Sequence, residues 1–264
     1  MKKIKFYLFV CAMLFASVSH GQKLCEKLTI TAASEDAPSS WLIDGKLQGS
    51  SVEYFTDIAR RAGVKNVEVK VFDTWSAALN AARVGNVDMI LSVGWSQERA
   101  RYLNYVWPHY QISYLLVVVR KGSTFKLVKY DDLKGRQGVA IKDVTYGDGP
   151  FANLVNTSPD MRYTMNIADA FVELKSGAVD YVLGYENNVL AEMSIKNTFE
   201  EFEFVDTVPF ALSEYAAFSK KSKCAEQLTK QFGKMISETR SRYDYYALQS
   251  KYKQLFTMSM ADKD

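Results

Sequence analysis

Two stretches of this sequence repeat one local pattern, in which a helix-like segment leads through Gly-x-Val-Asp into an apolar, strand-like segment. They are AARVGNVDMILSV at residues 81–93 and ELKSGAVDYVLGY at residues 173–185. Strand and helix alternating along a chain predict parallel sheets with helices on both faces. The repeated segment is also a common helix-to-strand turn. Together with the alternation elsewhere in the chain, it favours two α/β lobes built on one plan.

The first part of the chain shows that alternation. Residues 28–34 predict a first strand, and Ser50 with Glu53 predicts a capping box at the start of the helix that follows. Thr74 is a suitable N-cap for a second helix, and Gly85 is a suitable stop for it. An apolar strand then follows, so strand, helix and strand succeed one another.

The second part of the chain continues the pattern and contains two candidate connections between lobes. Residues 132–141 predict the first inner strand of a second lobe. The extended segments 114–123 and 214–222 are long enough to link the two lobes. Helices are expected from about Cys224 and, at the end of the chain, over residues 244–256.

The first residues predict export. Three lysines at positions 2, 3 and 5 precede an uncharged, mostly apolar run at residues 6–18, and small residues follow. This is the pattern of a secretory signal peptide, and the run is shorter than the roughly 20 residues that a membrane-spanning helix needs. We expect the signal peptide to be residues 1–21, with cleavage after Gly21, and cleavage two residues earlier is the alternative.

The charge of the chain argues against one class of partner. The formal net charge is +3, and removal of the signal peptide would take away three lysines and no acidic residue, which leaves a charge of zero. Binding to nucleic acid depends on basic charge, so no nucleic-acid partner is expected. With no second long apolar segment in the sequence, we expect a soluble exported protein of the periplasm. We also expect it to be a monomer.

Two cysteines would remain in the exported protein. Cys11 lies in the predicted signal peptide, whereas Cys25 and Cys224 stand near the two ends of the mature chain. An even number of cysteines in an oxidising compartment predicts one disulfide bond. Two unpaired buried thiols are the alternative.

The stretch LSVGWSQERARYLNYVWPHY, residues 91–110, contains an arginine in an unusual place. Ser96 is a suitable helix N-cap, and Arg99 follows three residues later. The start of a helix carries partial positive charge, which favours an anion there. Arg99 is therefore expected to pair with a negative group. An ion pair with Glu98, or simple solvation, is the alternative to a bound ligand.

Seven segments, in order along nearly the whole mature chain, resemble the bacterial periplasmic solute-binding proteins of family 3, the amino-acid type. They are AP followed by DGKLQGSSVEYFTDIARRAGV, WSAALNAARVGNVDMILSV, SQERARYLNYVWPHY, VVVRKGS, DDLKGRQGVAI, LKSGAVDYVLGY and YAAFSKKS. The resemblance implies the type II periplasmic-binding fold, with two α/β lobes, two linking strands and a ligand cleft that closes by hinge motion. It places lobe 1 at residues 22–111 plus 213–264 and lobe 2 at residues 112–212. It also implies a small-molecule ligand, a membrane transporter permease as partner and no cofactor.

The resemblance also assigns residues to the ligand site. Arg99 matches the arginine that binds the ligand's α-carboxylate, a role that suits a guanidinium because it can donate two parallel hydrogen bonds to one carboxylate. Ser92, Gly94 and Trp95 would line the strand end, where ligands of open α/β sheets bind. Trp75 matches an aromatic residue that stacks on the ligand, and packing in the core is its alternative role.

The sequence departs from the family pattern at several site positions. Asp36 stands where an aromatic side chain is frequent. Tyr185 stands at the position of an acid that holds the ligand's ammonium, so Glu186, one residue later, is a candidate for that role. Thr145 is the candidate for a threonine that contacts the anion, and the nearby Lys142 would favour an acidic ligand.

The leading interpretation is a binding protein without catalysis. One alternative is an enzyme of the same fold, such as a dehydratase of small carboxylates, with Glu186 or Glu35 as a general acid of raised pKa. Another is a module that presents its ligand to a membrane receptor. A metal site is not expected, since His109 is the one histidine outside the predicted signal peptide.

Overall fold

The computed structural model describes residues 25–147, 149–205 and 210–261. The predicted signal peptide, residues 1–21, lies outside the described residues. Among those that are described, no helix is both long enough and apolar enough to cross a lipid bilayer.

Thirteen strands and seven α-helices alternate along the described chain. The strands are β1 (Lys27–Thr31), β2 (Glu35–Asp36), β3 (Ser40–Ile43), β4 (Lys46–Gln48), β5 (Asn66–Val69), β6 (Met89–Gly94), β7 (Leu103–Tyr105), β8 (Gln111–Arg120), β9 (Gly138–Ile141), β10 (Met161–Thr164), β11 (Tyr181–Tyr185), β12 (Phe202–Phe204) and β13 (Ala211–Ser219). The helices are α1 (Ser50–Arg61), α2 (Trp75–Val84), α3 (Pro150–Thr157), α4 (Ile167–Ser176), α5 (Glu186–Lys196), α6 (Ala225–Ser237) and α7 (Thr239–Ala261). Two 3₁₀ turns are present at Arg99–Arg101 and Tyr130–Leu133.

Ten strands form one continuous sheet with two parallel halves. Its main path runs β10-β9-β11-β8-β13-β6-β1-β5, while β12 pairs with β8 and β7 pairs with β13. The strands β1, β5 and β6 are mutually parallel at one end, and β9, β10 and β11 are mutually parallel at the other. Strands β2, β3 and β4 form a separate small antiparallel sheet. The predicted α/β class with two related halves is confirmed.

The two halves meet at the antiparallel pair β8 and β13. The first residues of each strand pair with one another, Gln111–Tyr114 against Ala211–Glu214. Strand β8 then continues along β11, and β13 continues along β6. Each strand therefore passes from one half of the sheet to the other, as predicted for the two linking segments. The residue limits of the lobes stay a prediction.

The apolar core of the first half lies between the sheet and helices α1, α6 and α7. Leu28, Ile58, Met89, Phe218 and Phe232 belong to it, and each is essentially inaccessible to water. In the second half, two separate clusters cover the two faces of the sheet. The inner strands β6, β9 and β11 are buried along nearly their whole length, which explains their nearly continuous apolar sequences, whereas the edge strands β5 and β10 are more exposed and more polar.

The predicted disulfide bond is confirmed. Cys25 and Cys224 are bonded, with Cα atoms 5.3 Å apart, and both belong to the core of the first half. Cys25 precedes β1, and Cys224 is the N-cap residue of α6. The bond therefore joins the start of the described chain to the returning segment on the same side of the cleft.

The helix ends were predicted with mixed success. Thr74 caps α2 by accepting a hydrogen bond from the N–H of Ala77 at 3.2 Å, and Gly85 ends the helix in a left-handed conformation, both as predicted. The capping box predicted for α1 is wrong. Gly49 is the N-cap residue, and the Ser50 hydroxyl instead donates back to the Pro38 carbonyl.

Candidate functional site

A cavity of about 90 Å³ lies between the two halves of the sheet. Its walls come from the turn after β1, the start of α2, the end of β6, the loop after β9, the end of β11 and the start of β13. Most of these segments follow the carboxyl ends of parallel strands, where ligands of open α/β sheets bind. The space is sufficient for several water molecules or one small polar solute.

Seven of the nine predicted ligand residues line this cavity. They are Asp36, Trp75, Ser92, Gly94, Arg99, Thr145 and Tyr185. They come from segments more than 140 residues apart in the sequence, and the fold brings them together.

Trp95 and Glu186 do not line the cavity. Trp95 follows the last residue of β6 and is 37% exposed. Glu186 is the first residue of α5 and lines a different groove, together with His109 and Tyr245. Each stands one position beyond the end of a strand, and the last strand residues, Gly94 of β6 and Tyr185 of β11, are the ones that line the cavity. The interpretation of Glu186 as the acid for the ligand's ammonium therefore has no support from its position.

The predicted contribution of Lys142 is likewise unsupported. Its side chain is exposed and lines an outer groove, not the cavity. A lysine in that position adds charge near the entrance of the cleft rather than at the ligand.

Arg99 is held in place by its own turn and by backbone carbonyl groups. The Ser96 hydroxyl accepts a hydrogen bond from the N–H of Arg99 at 3.2 Å, and the arginine is only 6% exposed. The helix predicted to begin at Ser96 is instead the 3₁₀ turn Arg99–Arg101, and its N-cap residue is Glu98, so the prediction of Ser96 as N-cap is wrong. Its Nη1 donates to the Gly94 carbonyl at 3.0 Å, and its Nη2 donates to the Asp143 carbonyl. In the described part of the chain, no carboxylate lies within ion-pair distance of this guanidinium. The proposed ion pair with Glu98 is therefore absent from the structure.

The end of β6 has an unusual backbone that is fixed by tyrosine hydroxyls. Ser92 has a φ angle of 53°, a left-handed conformation that costs energy for a residue with a side chain. The Tyr110 hydroxyl lies 3.0 Å from the Ser92 nitrogen and 2.8 Å from its Oγ. The Tyr105 hydroxyl donates to the Gly94 carbonyl at 3.0 Å. These contacts hold the strand end that carries the cavity wall.

The loop after β9 reaches across the cleft to the start of α2. The Asp143 carbonyl accepts hydrogen bonds from Arg99 and from Nε1 of Trp75, the latter at 3.1 Å. The Asp143 carboxylate accepts a hydrogen bond from the Ser76 hydroxyl at 2.5 Å. On the other side of the cleft, the Asn188 amide donates to the Glu35 carbonyl at 2.7 Å. The structure is therefore a closed form, with contacts between the two sides at both ends of the cavity.

The Trp75 and Tyr185 rings form apolar walls. The Trp75 ring centroid lies 5.9 Å from the guanidinium carbon of Arg99, within the range of a cation–π contact. Tyr185 stacks on Tyr146 and uses its hydroxyl to donate to the Thr145 carbonyl at 2.6 Å. Because that hydroxyl is already bonded within the wall, the ring is the part of Tyr185 that a ligand can contact.

Two buried carboxylates complete the lining. Asp36 is 7% exposed and Glu214 is 6% exposed, and both line the cavity. Burial, with a further contribution from Glu214, raises the pKa of Asp36 well above its ordinary value. Burial also raises the pKa of Glu214 to about 7, although hydrogen bonds from Gln111 and Ser113 act against this increase.

Sequence reasoning missed Glu214. It is the single charged residue in the stretch FALSEYAAF, residues 210–218, which otherwise consists of apolar and small residues. A lone acid within an apolar linking strand is the signal that points to it, because an isolated charge is costly to bury without a function or a partner.

A hydrogen-bonded network joins Glu214 to the C-terminal helix. The Gln111 amide donates to Glu214, and its carbonyl oxygen accepts from the Tyr245 hydroxyl and, at 3.2 Å, from the Gln249 amide. Ser39 also donates to this oxygen, at 3.1 Å. Helix α7 is therefore tied to the first residue of β8, where the two linking strands begin to pair.

The model of the family described as bacterial extracellular solute-binding proteins, family 3, matches residues 28–254. The chain belongs to this family. The fold predicted from the resemblance is confirmed, and the prediction of a binding protein rather than an enzyme agrees with the family.

Individual relatives of this family 3 protein are distant. The probable amino-acid-binding protein YxeM of Bacillus subtilis (strain 168) is 24% identical over 264 residues, which covers 96% of each chain. A histidine kinase sensor domain similar to periplasmic binding proteins superposes with a TM-score of 0.71 at 23% identity, covering 86% of this chain and 95% of that one. The substrate-binding protein of an amino acid ABC transporter superposes with a TM-score of 0.68 at 19% identity, covering 86% of this chain and 98% of that one. At these identities, the two structures establish the shared fold alone.

Within the described residues of this family 3 protein, no group of three or more His, Cys, Asp or Glu side chains is arranged to hold a metal ion. The arrangement is suited to binding, with one buried cation, two buried carboxylates and two aromatic walls around a small cavity.

Proposed function

We propose that this protein captures a small amino acid or a related carboxylate-bearing solute in the periplasm and delivers it to an ABC-type uptake transporter. The observation that carries the proposal is the Arg99 guanidinium. It is buried at the cavity, its hydrogen-bond acceptors among the described residues are carbonyl groups, and no carboxylate of those residues lies within ion-pair distance. Burying a charge without a counter-charge is costly, and a ligand carboxylate would provide that counter-charge.

The geometry supports a carboxylate at this point. A guanidinium has five N–H donors, and two backbone carbonyls are its hydrogen-bond partners among the described residues. A carboxylate can accept two parallel hydrogen bonds from the donors that remain. The name of YxeM, a probable amino-acid-binding protein that aligns along nearly the whole chain, supports an amino acid as the ligand class.

A ligand screen with one matched pair of variants tests the proposal. The purified mature protein is heated with each common L-amino acid in turn, and a solute present at about 100 times its Kd should stabilise the protein by about 2.7 kcal/mol. Calorimetry then gives Kd for the wild type, Arg99→Ala and Arg101→Ala. Arg101 lies in the same 3₁₀ turn but is exposed and does not line the cavity, so it is the control.

We expect Arg99→Ala to weaken binding by about 30-fold or more, because removal of one partner of a buried charge pair typically costs about 2–5 kcal/mol. Arg101→Ala should bind like the wild type. Equal binding by Arg99→Ala, or no stabilisation by any small carboxylate, would overturn the proposal.

Export and delivery need separate tests. Mass spectrometry of the exported protein should show a chain that starts near Gln22, and an intact Met1 would contradict the signal peptide. The alternative role, presentation of the ligand to a membrane receptor, has a structural parallel in the histidine kinase sensor domain. Deletion of the gene should abolish uptake of the radiolabelled ligand if the protein serves a transporter, and should leave uptake unchanged if it serves a receptor.

A further inference from the structure

The two buried carboxylates of the cavity come from different parts of the fold. Asp36 is the last residue of β2, in the small sheet, and Glu214 lies where β13 pairs with both β8 and β6. The two groups are close enough for the charge of Glu214 to act on Asp36. They form one acidic site in the wall of the cavity, which we call the carboxylate pair.

The hydrogen-bond partners of the carboxylate pair are neutral, and the positive charge that acts on Glu214, that of Arg99, is not within ion-pair distance. Glu214 accepts hydrogen bonds from the Gln111 amide and from Ser113, and Asp36 accepts one from Asn187. Across residues 25–147, 149–205 and 210–261, neither carboxylate takes part in an ion pair. Two buried acids without a cation are stable only if protons or an external cation neutralise them.

The charges of the whole cavity lining also favour a bound cation. Four carboxylic acids line the cavity, Glu35, Asp36, Asp73 and Glu214, against one guanidinium. A ligand with carboxylates alone would be attracted by Arg99 and repelled by the other charges. A ligand that also carries a cationic nitrogen would match both parts of the site.

We propose that Asp36 and Glu214 together form the subsite that receives a cationic nitrogen of the ligand, an ammonium or a guanidinium. This inference rests on the proposed function, because it concerns the same cavity. It assigns the ligand's cationic nitrogen to residues other than those expected from the family pattern. Tyr185, at the family's acidic position, provides a ring instead, and the carboxylate pair takes over the negative charge.

Binding at this subsite exchanges a proton for a cation. The pKa of Glu214 is about 7, so near neutral pH the pair holds a proton that the ligand's nitrogen replaces. The positive charge of Arg99, in the 3₁₀ turn, acts on Glu214, and the charge of Glu214 acts in turn on Tyr110 before β8 and on Tyr185 of β11. The two tyrosines are neutral at this pH, since burial raises the pKa of each well above its ordinary value. Glu35 also lines the cavity, and burial raises its pKa as well. The proton exchange therefore belongs mainly to the pair.

A thermal-shift panel on three proteins tests the subsite. The probes are the common L-amino acids, putrescine, which has two ammonium groups and no carboxylate, and succinate, which has two carboxylates and no ammonium. The proteins are the wild type, Asp36→Asn and Glu214→Gln, with Glu203→Gln on β12 as a control acid outside the cavity. Both cavity variants keep the side-chain size and remove the charge.

The subsite predicts that nitrogen-bearing probes stabilise the wild type and Glu203→Gln, and that Asp36→Asn and Glu214→Gln bind them about 30-fold more weakly or worse. Equal stabilisation of all four proteins by an amino acid would overturn the subsite and leave the proposed function intact. Stabilisation by succinate alone would also overturn the subsite and leave the proposed function intact. Stabilisation by putrescine but by no carboxylate, lost in the two variants, would support the subsite and overturn the proposed function. No stabilisation by any probe would overturn both.

Calorimetry on the wild type keeps the test independent of the variants. Titration with the strongest amino-acid or putrescine probe at about pH 6.5, in buffers of different ionisation enthalpy, should show release of most of one proton per ligand bound. A purely structural pair would release none. Binding of a nitrogen-bearing probe without proton release would overturn the exchange and with it the subsite.

Discussion

Replacement of Glu214 by glutamine should make the ligand-free protein less sensitive to rising pH. In the unfolded chain this carboxyl group ionises near its ordinary pKa of 4.5, whereas in the folded protein burial raises the pKa to about 7. Between these values the folded state binds more protons than the unfolded state, so stability falls as the pH rises. The penalty is complete above pH 7 and absent well below pH 4.5.

The size of the effect follows from the difference between the two pKa values. At about 1.4 kcal/mol per pKa unit, the shift of Glu214 corresponds to about 3 kcal/mol of lost stability. Glutamine has no such charge. The substitution also disturbs the hydrogen bonds with Gln111 and Ser113, but that cost is the same at every pH because those partners do not titrate.

Urea unfolding followed by tryptophan fluorescence, at about pH 4.5 and about pH 8, measures the effect. The free energy of unfolding of Glu214→Gln minus that of the wild type should be about 3 kcal/mol larger at the higher pH than at the lower one, because only the wild type loses stability as the pH rises. Glu203→Gln should show no such difference, because Glu203 lies outside the cavity. A Glu214→Gln variant whose stability follows the wild type in parallel between the two pH values would show that Glu214 ionises normally and that the reasoning is wrong.

Three further changes test other parts of the structure. Replacement of both Cys25 and Cys224 by alanine should destabilise the protein by up to about 5 kcal/mol, as the chain-entropy model gives for so long a loop, and a loss below about 1 kcal/mol in urea unfolding would contradict a structural role. Gly94→Ala would place a Cβ atom 2.5 Å from two side chains across the cleft, so we expect weaker ligand binding by calorimetry with normal thermal stability of the ligand-free protein. Unchanged affinity would mean that closure is looser than the structure shows. Ser76→Ala removes one hydrogen bond across the cleft and should weaken binding by roughly 2- to 10-fold, mainly through faster ligand release in stopped-flow experiments, whereas slower release would contradict a closing role.

The overall fold could be predicted from the sequence because its signals are local. Thr74 and Gly85 bound a helix that the structure reproduces at both ends, and the even number of cysteines indicated the observed bond. The hydrogen bond between the Ser96 hydroxyl and the N–H of Arg99 could also be expected from the sequence, since it spans only three residues. The helix ends and the Ser96 contact depend on residues close together in the sequence. The disulfide bond depends on the oxidising environment of the predicted compartment.

The errors lie where distant segments decide the outcome. Glu53, predicted to cap α1, is bound instead by Lys251 and Tyr252 of α7, which lie almost 200 residues away in the sequence. The final helix is longer than predicted, Thr239–Ala261 rather than 244–256. Its contacts with α1 and α6 come from tertiary packing, which local helix signals do not reveal.

The residues of the candidate site were predicted only in part. Arg99 and Trp75 were assigned through the resemblance to the family, and both line the cavity. Glu214 could not be assigned, because nothing in the sequence shows which side of a linking strand faces the cleft. Glu186 was preferred over its neighbours for its charge, although the change from strand to helix at that point turns it towards another groove.

The bond between Cys25 and Cys224 turns most of the molecule into a covalent ring with a tail. The ring closes over a sequence separation of 199 residues, and α7 lies beyond it. A protease cut within the ring would leave two pieces that stay joined, so the sheet and both linking strands would survive as one unit. A cut before α7 would release the tail and take with it Tyr245 and Gln249, which hold Gln111 at the point where the linking strands pair. The segment outside the ring is therefore the one that carries these contacts to the start of the linking strands.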